Sequence, residues 1–280
     1  MYNMYFEIAG KIASESLLSL YPVFVKNIQL PIFVQLWSRF FTYVIISAFF
    51  VDWSVIWKHL FSKTGLALSA ATLVHVFTSY RGFLLLESGI AYALFYTYPL
   101  MILFMAGEMP SAFFVLVILG ILLLVYKTDY QTDYFSNVEG YGMIALAALS
   151  EAVIYFLVRN IQTDNNWNHL FLSYAIGLVM LSSWDSSAIF SNLGGKSFSY
   201  SLGINSVIGL AGYYLRFFAA SRLKPSLYAP LSYVGIVMAY LYGFIFSGEM
   251  ITWQKVIGTL LILGGIFMQS KRQPEQKWER

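Results

Sequence analysis

Residues Gly10 to Gln29, GKIASESLLSLYPVFVKNIQ, form an apolar stretch that carries a carboxylate, Glu15, inside it. About 20 apolar residues suffice to cross a bilayer as a helix. A carboxylate at that depth costs at least ~2.5 kcal/mol on insertion scales. A chain built this way is restricted to folds that meet the acid with a counter-charge, a proton or a hydrated cavity. A related stretch, Ile144 to Thr163, returns with its own interior acid, Glu151.

Composition agrees with a membrane setting. Hydrophobic residues make up 59% of the 280 and charged ones only 11%, against roughly 25% charge in soluble domains. So few charges cannot cover a water-facing surface, and the reading is an all-α polytopic membrane protein of about ten spans. No segment alternates in the manner of a membrane barrel. The net charge of +3 is dispersed, with no basic block for nucleic acid. Cysteine is absent, so no disulfide forms. The first apolar segment has no basic leader and no small-residue cleavage site, and is read as a retained span rather than a signal peptide. The 21 Tyr and 7 Trp exceed what interfacial belts require, so some are expected to face a cavity.

Spans are expected near Met4–Val25, Pro31–Val51, Thr64–Leu86, Ser88–Gly107 and Ala112–Tyr126. The second set is Gly140–Asn160, Leu170–Trp184, Leu202–Ser221, Ser226–Phe246 and Trp253–Ser270. The expected organisation is a five-helix repeat over 1–127, a polar linker over 128–139, a second five-helix repeat over 140–270 and a cytoplasmic tail over 271–280. Lys26-Asn27-Ile28-Gln29 recurs as Arg159-Asn160-Ile161-Gln162, an offset of 159 − 26 = 133. Gly107-Glu108-Met109 recurs as Gly248-Glu249-Met250, and Arg81 as Arg222, at an offset of 141. The eight extra residues point to a loop insertion at Ser191–Ser201. Five spans per half reverse the sense of the second copy, giving two inverted repeats, an arrangement common in secondary transporters. Counting Lys and Arg between spans places both termini inside.

At this point the chain resembles a known group. Ala220–Glu249, ASRLKPSLYAPLSYVGIVMAYLYGFIFSGE, and the Gly-rich Gly258–Phe267 are similar to the late spans of the drug/metabolite transporter superfamily in its ten-span, EamA-like form. Gly89–Phe95, GIAYALF, and the Glu151…Arg159 spacing are similar to features of the four-span small multidrug exporters. In those exporters the matching acid is a shared site for a proton and a cationic drug. The resemblance implies two EamA-like repeats and a transport role. It leaves the substrate open among amino acids, nucleotide sugars, cofactors and drugs.

Helical spacing groups the polar residues independently of that resemblance. Lys11, Glu15 and Ser19 share one face, as do Glu151, Tyr155 and Arg159, while Thr72, His75 and Ser79 form a comparable stripe. Adding the offset, 75 + 141 = 216, makes Arg216 the repeat partner of His75. The expected pairs are Glu15 with His75 and Glu151 with Arg216. Arg39 is a further cation within a span, and it is the alternative partner for Glu15 if the pairs are purely structural. Tyr92 and Tyr96 lie on one face, and Tyr92 maps to Tyr233 (92 + 141). The candidate substrate site is Glu15, Glu151, Arg39, Arg216, His75, Tyr92, Tyr96 and Tyr233. Packing and ion pairing are the bland account of the same residues. Glu108 and Glu249, at helix ends, are read as caps or turn anchors, and Lys26 and Arg159 as helix-end cations.

No His/Cys metal cluster is present, no phosphate loop occurs, and no catalytic constellation is found, so an enzyme is not expected and no cofactor is implied. The expected function is a secondary transporter that moves a small organic metabolite by alternating access, with amino acids or related compounds favoured and protons as an optional partner. The alternatives are a proton-coupled multidrug exporter, or a receptor or assembly subunit on the same scaffold. The expected partners are the small molecule, the lipid bilayer and no nucleic acid. The protein would be a monomer or homodimer in the cell (inner) membrane with both termini cytoplasmic.

Overall fold

The computed structural model describes residues 4–106, 114–125, 134–223, 228 and 231–271. Among them there is no strand, and nearly all are helical. Glu108 and residues 272–280 of the expected tail lie outside the described residues.

The first expected span is two helices, α1 (Met4–Leu18) and α2 (Tyr21–Asn27). Pro22 sits at the start of α2. Proline has no N–H, so the carbonyl four residues earlier, that of Leu18, loses its helical donor. The Tyr92 hydroxyl donates to that carbonyl instead. The fourth span is broken in the same way into α6 (Ser88–Phe95) and α7 (Tyr98–Met105), with Pro99 at the start of α7.

Between these lie α3 (Ile32–Ser47), α4 (Trp53–His59) and α5 (Lys63–Leu85). The expected second span reached Val51, but the helix ends at Ser47. The short α4 was not expected; it turns 89° from α5. Asp52 caps α4 by accepting from Ser54 N at 2.9 Å. Its Trp53 and Trp57 are exposed, as befits a Trp-bearing helix at a membrane interface.

The remaining elements are α8 (Phe114–Val125), α9 (Tyr134–Asn160), α10 (Asn166–Trp184), α11 (Ser186–Asn192), α12 (Lys196–Ile204), α13 (Leu210–Arg222), α14 (Val234–Ser247) and α15 (Trp253–Lys271). The start of α9 at Tyr134 lies inside the segment read as a linker. The expected loop at Ser191–Ser201 is also corrected. It is the end of α11, a turn at Gly194 with φ +82, and the first turns of α12. One turn of π-helix, Asn205–Gly209, joins α12 to α13. Such widened turns often mark functional sites in helices.

Helix pairing is regular. α1 packs along α13 and α9 along α5; α3 packs on α10, α6 on α14 and α8 on α15. Tyr5–Asn27, Ser88–Met105 and Val138–Asn160 are each long and apolar enough to span a bilayer. Phe104, Leu122, Val179, Val207 and Phe244 are exposed, whereas Lys11, Glu15, Arg39, His75, Glu151 and Arg216 are buried. A surface of bare apolar side chains around a charged interior is the reverse of a water-soluble protein and suits hydrocarbon outside.

Candidate functional site

The two interior acids meet at one base. Arg216 on α13 donates from Nη2 to Glu15 Oε2 at 3.0 Å and from Nη1 to Glu151 Oε1 at 3.0 Å. All three side chains are at most 5% exposed. A guanidinium is suited to this, since its planar fork offers donors in two directions at once.

Glu15 is further held by Lys11, one turn earlier on α1, and by the Tyr96 hydroxyl. Tyr96 stands at the break between α6 and α7, where Gly235 on α14 leaves room for its ring. A Cβ at Gly235 would come 2.0 Å from the Tyr96 hydroxyl oxygen. Lys11 lies 3.5 Å from the centre of the Tyr228 ring and donates to Tyr98 at 3.3 Å. Tyr98 in turn shares a hydrogen bond with Ser232 at 2.8 Å.

The expected pairing of Glu151 with Arg216 is present. The expected pairing of Glu15 with His75 is not; His75 lies instead against Glu151. Its Nδ1 is 3.1 Å from the Ala147 carbonyl, its Nε2 is 3.2 Å from the Tyr213 hydroxyl and 3.5 Å from Glu151 Oε2. A carbonyl can only accept, so Nδ1 carries a proton. Glu151 Oε2 has no hydrogen bond.

Arg39 on α3 takes a different environment. Among the described residues no carboxylate lies within 4.0 Å of it; the ion pairs are elsewhere. Five tyrosine rings surround its guanidinium, those of Tyr21, Tyr43, Tyr80, Tyr174 and Tyr213, with centres 4.4–5.8 Å away. Nη2 donates to the Tyr174 hydroxyl at 3.0 Å, while Nε has no partner. Five of the tyrosines are thus gathered around a base. Gly209, at the end of the π turn, permits this: a Cβ there would lie 1.8 Å from the Tyr21 hydroxyl oxygen and 2.2 Å from that of Tyr43.

A cavity of about 10 Å³ lies where these groups converge, bordered by Arg39, His75, Tyr92, Tyr213 and Arg216 among others. That is room for roughly one water. Its walls come from both halves of the chain. The two acids do not line it themselves; they reach it through Arg216 and His75. Tyr92 lines it, but its hydroxyl is spent on the Leu18 carbonyl. Tyr233 is buried with its hydroxyl unpaired. Lys11, Tyr98, Tyr213 and Tyr228 were not among the candidates. For Lys11 the i, i+4 spacing from Glu15 was a usable signal; for the tyrosines no local signal exists.

A second ionic knot sits at one end of the bundle. Glu249, just past α14, accepts from Lys26 Nζ at 2.8 Å, from Ser88 N at 2.9 Å and from Ser88 Oγ at 2.7 Å. Gly248, at φ +64, makes the turn that aims it there. Lys26 is therefore more than a snorkelling helix-end cation.

These features describe a polytopic helical membrane protein with a polar interior and a small central cavity. Residues 138–270 match the model of the EamA-like transporter family. The match covers 133 residues (270 − 138 + 1) of the 280, all in the second half, and makes that half similar to the group the sequence resembles. A crystal structure of a protein is similar in fold, with a TM-score of 0.64 and 17% identity over 95% of this chain and 97% of that one. No curated protein matches the sequence.

Proposed function

We propose that the protein is a secondary transporter that moves a small organic metabolite by alternating access, with amino acids and related compounds ahead of cationic drugs. The observation that carries this reading is the Lys11–Glu15–Arg216–Glu151–His75 network, buried beside a cavity walled by both halves. Ionisable groups at bilayer depth are expensive, and a solute pathway is the common reason for keeping them.

The helix pairing supports two inverted repeats of five spans. With α1–α2 counted as the first span, α5 as the third, α9 as the sixth and α12–α13 as the eighth, exchanging the halves converts the first–eighth pair into the sixth–third pair. The pairs α3 with α10, α6 with α14 and α8 with α15 map onto themselves. Two halves packed this way can rock about a shared site, opening the small cavity alternately to either side. The orientation in this reading has both termini in the cytoplasm, in the cell membrane.

Proton coupling is a second layer of the same reading. A single proton placed on His75 Nε2 or Glu151 Oε2 would close the 3.5 Å gap between them. The test of the transport reading is saturable counterflow of solute in proteoliposomes holding the purified protein. Binding without flux would favour a receptor or assembly subunit.

A further inference from the structure

We propose that the solute is an organic monoanion whose carboxylate is taken by Arg39, rather than a zwitterion or a cation. This deepens the transport reading and rests on it.

The first argument is charge. Among the described residues the buried Lys, Arg, Asp and Glu side chains are Lys11, Arg39 and Arg216 against Glu15 and Glu151. Three bases less two acids leaves one base in excess. Lys11, Glu15, Arg216 and Glu151 neutralise one another within ion-pair distance. The surplus therefore belongs to Arg39. A buried charge is tolerated when paired and hydrogen-bonded. Arg39 Nη2 donates to the Tyr174 hydroxyl, while its Nε is unpaired.

The second argument is geometry. Arg39 and Arg216 both border the cavity, with Tyr213 also on its wall. Once the halves rock apart and widen the cavity, a carboxylate there would meet two guanidiniums, and a planar fork binds a carboxylate through two parallel hydrogen bonds. A cation entering there would meet repulsion from both. The Tyr21 and Tyr213 rings on that wall already face Arg39 and are not free to take a cationic ligand. A zwitterion would leave the surplus charge in place. Within amino-acid-related solutes the selection falls on 2-oxo acids, hydroxy acids and acidic amino acids.

Proteoliposomes with the full-length protein are preloaded with an equimolar mixture and exposed to the same mixture in labelled form. The mixture holds pyruvate, lactate and glutamate (net −1), alanine, serine and phenylalanine (net 0), and choline, lysine and phenethylamine (net +1). Initial exchange rates are read by mass spectrometry. The expected result is exchange of at least one monoanion at least about tenfold faster than any zwitterion or cation, the scale set by an unpaired buried charge. Arg39→Gln is expected to remove that preference, and Arg39→Lys to retain part of it. Exchange led by a zwitterion or a cation overturns the inference and leaves the transport reading standing. So does monoanion exchange unaltered in Arg39→Gln. No exchange of any solute overturns the transport reading, and the inference with it. If Arg39→Gln fails to fold, the wild-type charge preference alone decides.

Discussion

Arg216 Nη2 lies 3.0 Å from Glu15 Oε2, although the two residues are 201 positions apart in the chain. The same guanidinium holds Glu151 at 3.0 Å. One base thus ties α1 and α9 to α13, and its removal would leave two carboxylates facing each other in a buried site. Arg216→Gln is expected to cost about 3–5 kcal/mol of stability, as breaking a buried ion pair generally does. Adding Glu151→Gln removes one of the stranded charges, so the double variant should recover part of the loss. Unfolding in detergent, read as a double-mutant cycle, measures both. Additive losses would mean that the pair is not coupled.

How far this arrangement was legible in the sequence follows from what helical spacing encodes. The acids Glu15 and Glu151 stand out because they interrupt apolar spans, and the Glu151–Arg216 partnership followed from the repeat offset. That Arg216 also takes Glu15, displacing His75 from its expected role, depends on how each helix is rotated about its axis, which spacing does not specify. The cage around Arg39 draws tyrosines from α2, α3, α5, α10 and α13, so no local pattern announces it. Pro22 was visible, but it sits where a helix can also begin, and its consequence is a hydroxyl contact from Tyr92, 70 residues later in the chain (92 − 22 = 70). The Ser191–Ser201 stretch reads as a loop because of its Ser and Gly content, yet Asp185 and Gly195 start helices on either side of the Gly194 turn.

That contact can be tested directly. Tyr92→Phe leaves the Leu18 carbonyl without a donor, a loss of about 1–3 kcal/mol for an unsatisfied buried polar group. Pro22→Ala restores a backbone N–H four residues beyond Leu18. In the Pro22→Ala background Tyr92→Phe should therefore cost much less. Equal costs in both backgrounds, measured by thermal unfolding, would show that the hydroxyl does not substitute for the missing helical bond.

If Glu151 and His75 share a transported proton, Glu151→Gln should abolish uptake driven by a pH gradient and leave solute counterflow intact. Glu15→Gln provides the comparison, since Glu15 is already held by Lys11, Arg216 and Tyr96. Gradient-driven accumulation and counterflow are measured in the same proteoliposome preparation. Accumulation that persists in both variants would remove proton coupling from the mechanism.

At the end of the bundle, Glu249 offers a pH dependence outside the membrane-spanning helices. Burial pushes its carboxyl up, but the Lys26 ammonium and the Ser88 donors outweigh this and hold it below the usual carboxylate range. A group whose folded pKa is depressed contributes stability at pH values above its unfolded pKa, and loses it as pH falls through the folded one. The unfolded value is close to 4.5. The link between α2, α6 and the turn after α14 is therefore fully formed at neutral pH and weakens on acidification below that value. Wild-type melting temperature should fall more steeply from pH 5 to pH 3 than that of Glu249→Gln, which lacks the titrating group and should be less stable than wild type at pH 7. Parallel curves for the two proteins across that window would mean that the Glu249 contacts contribute nothing to acid sensitivity.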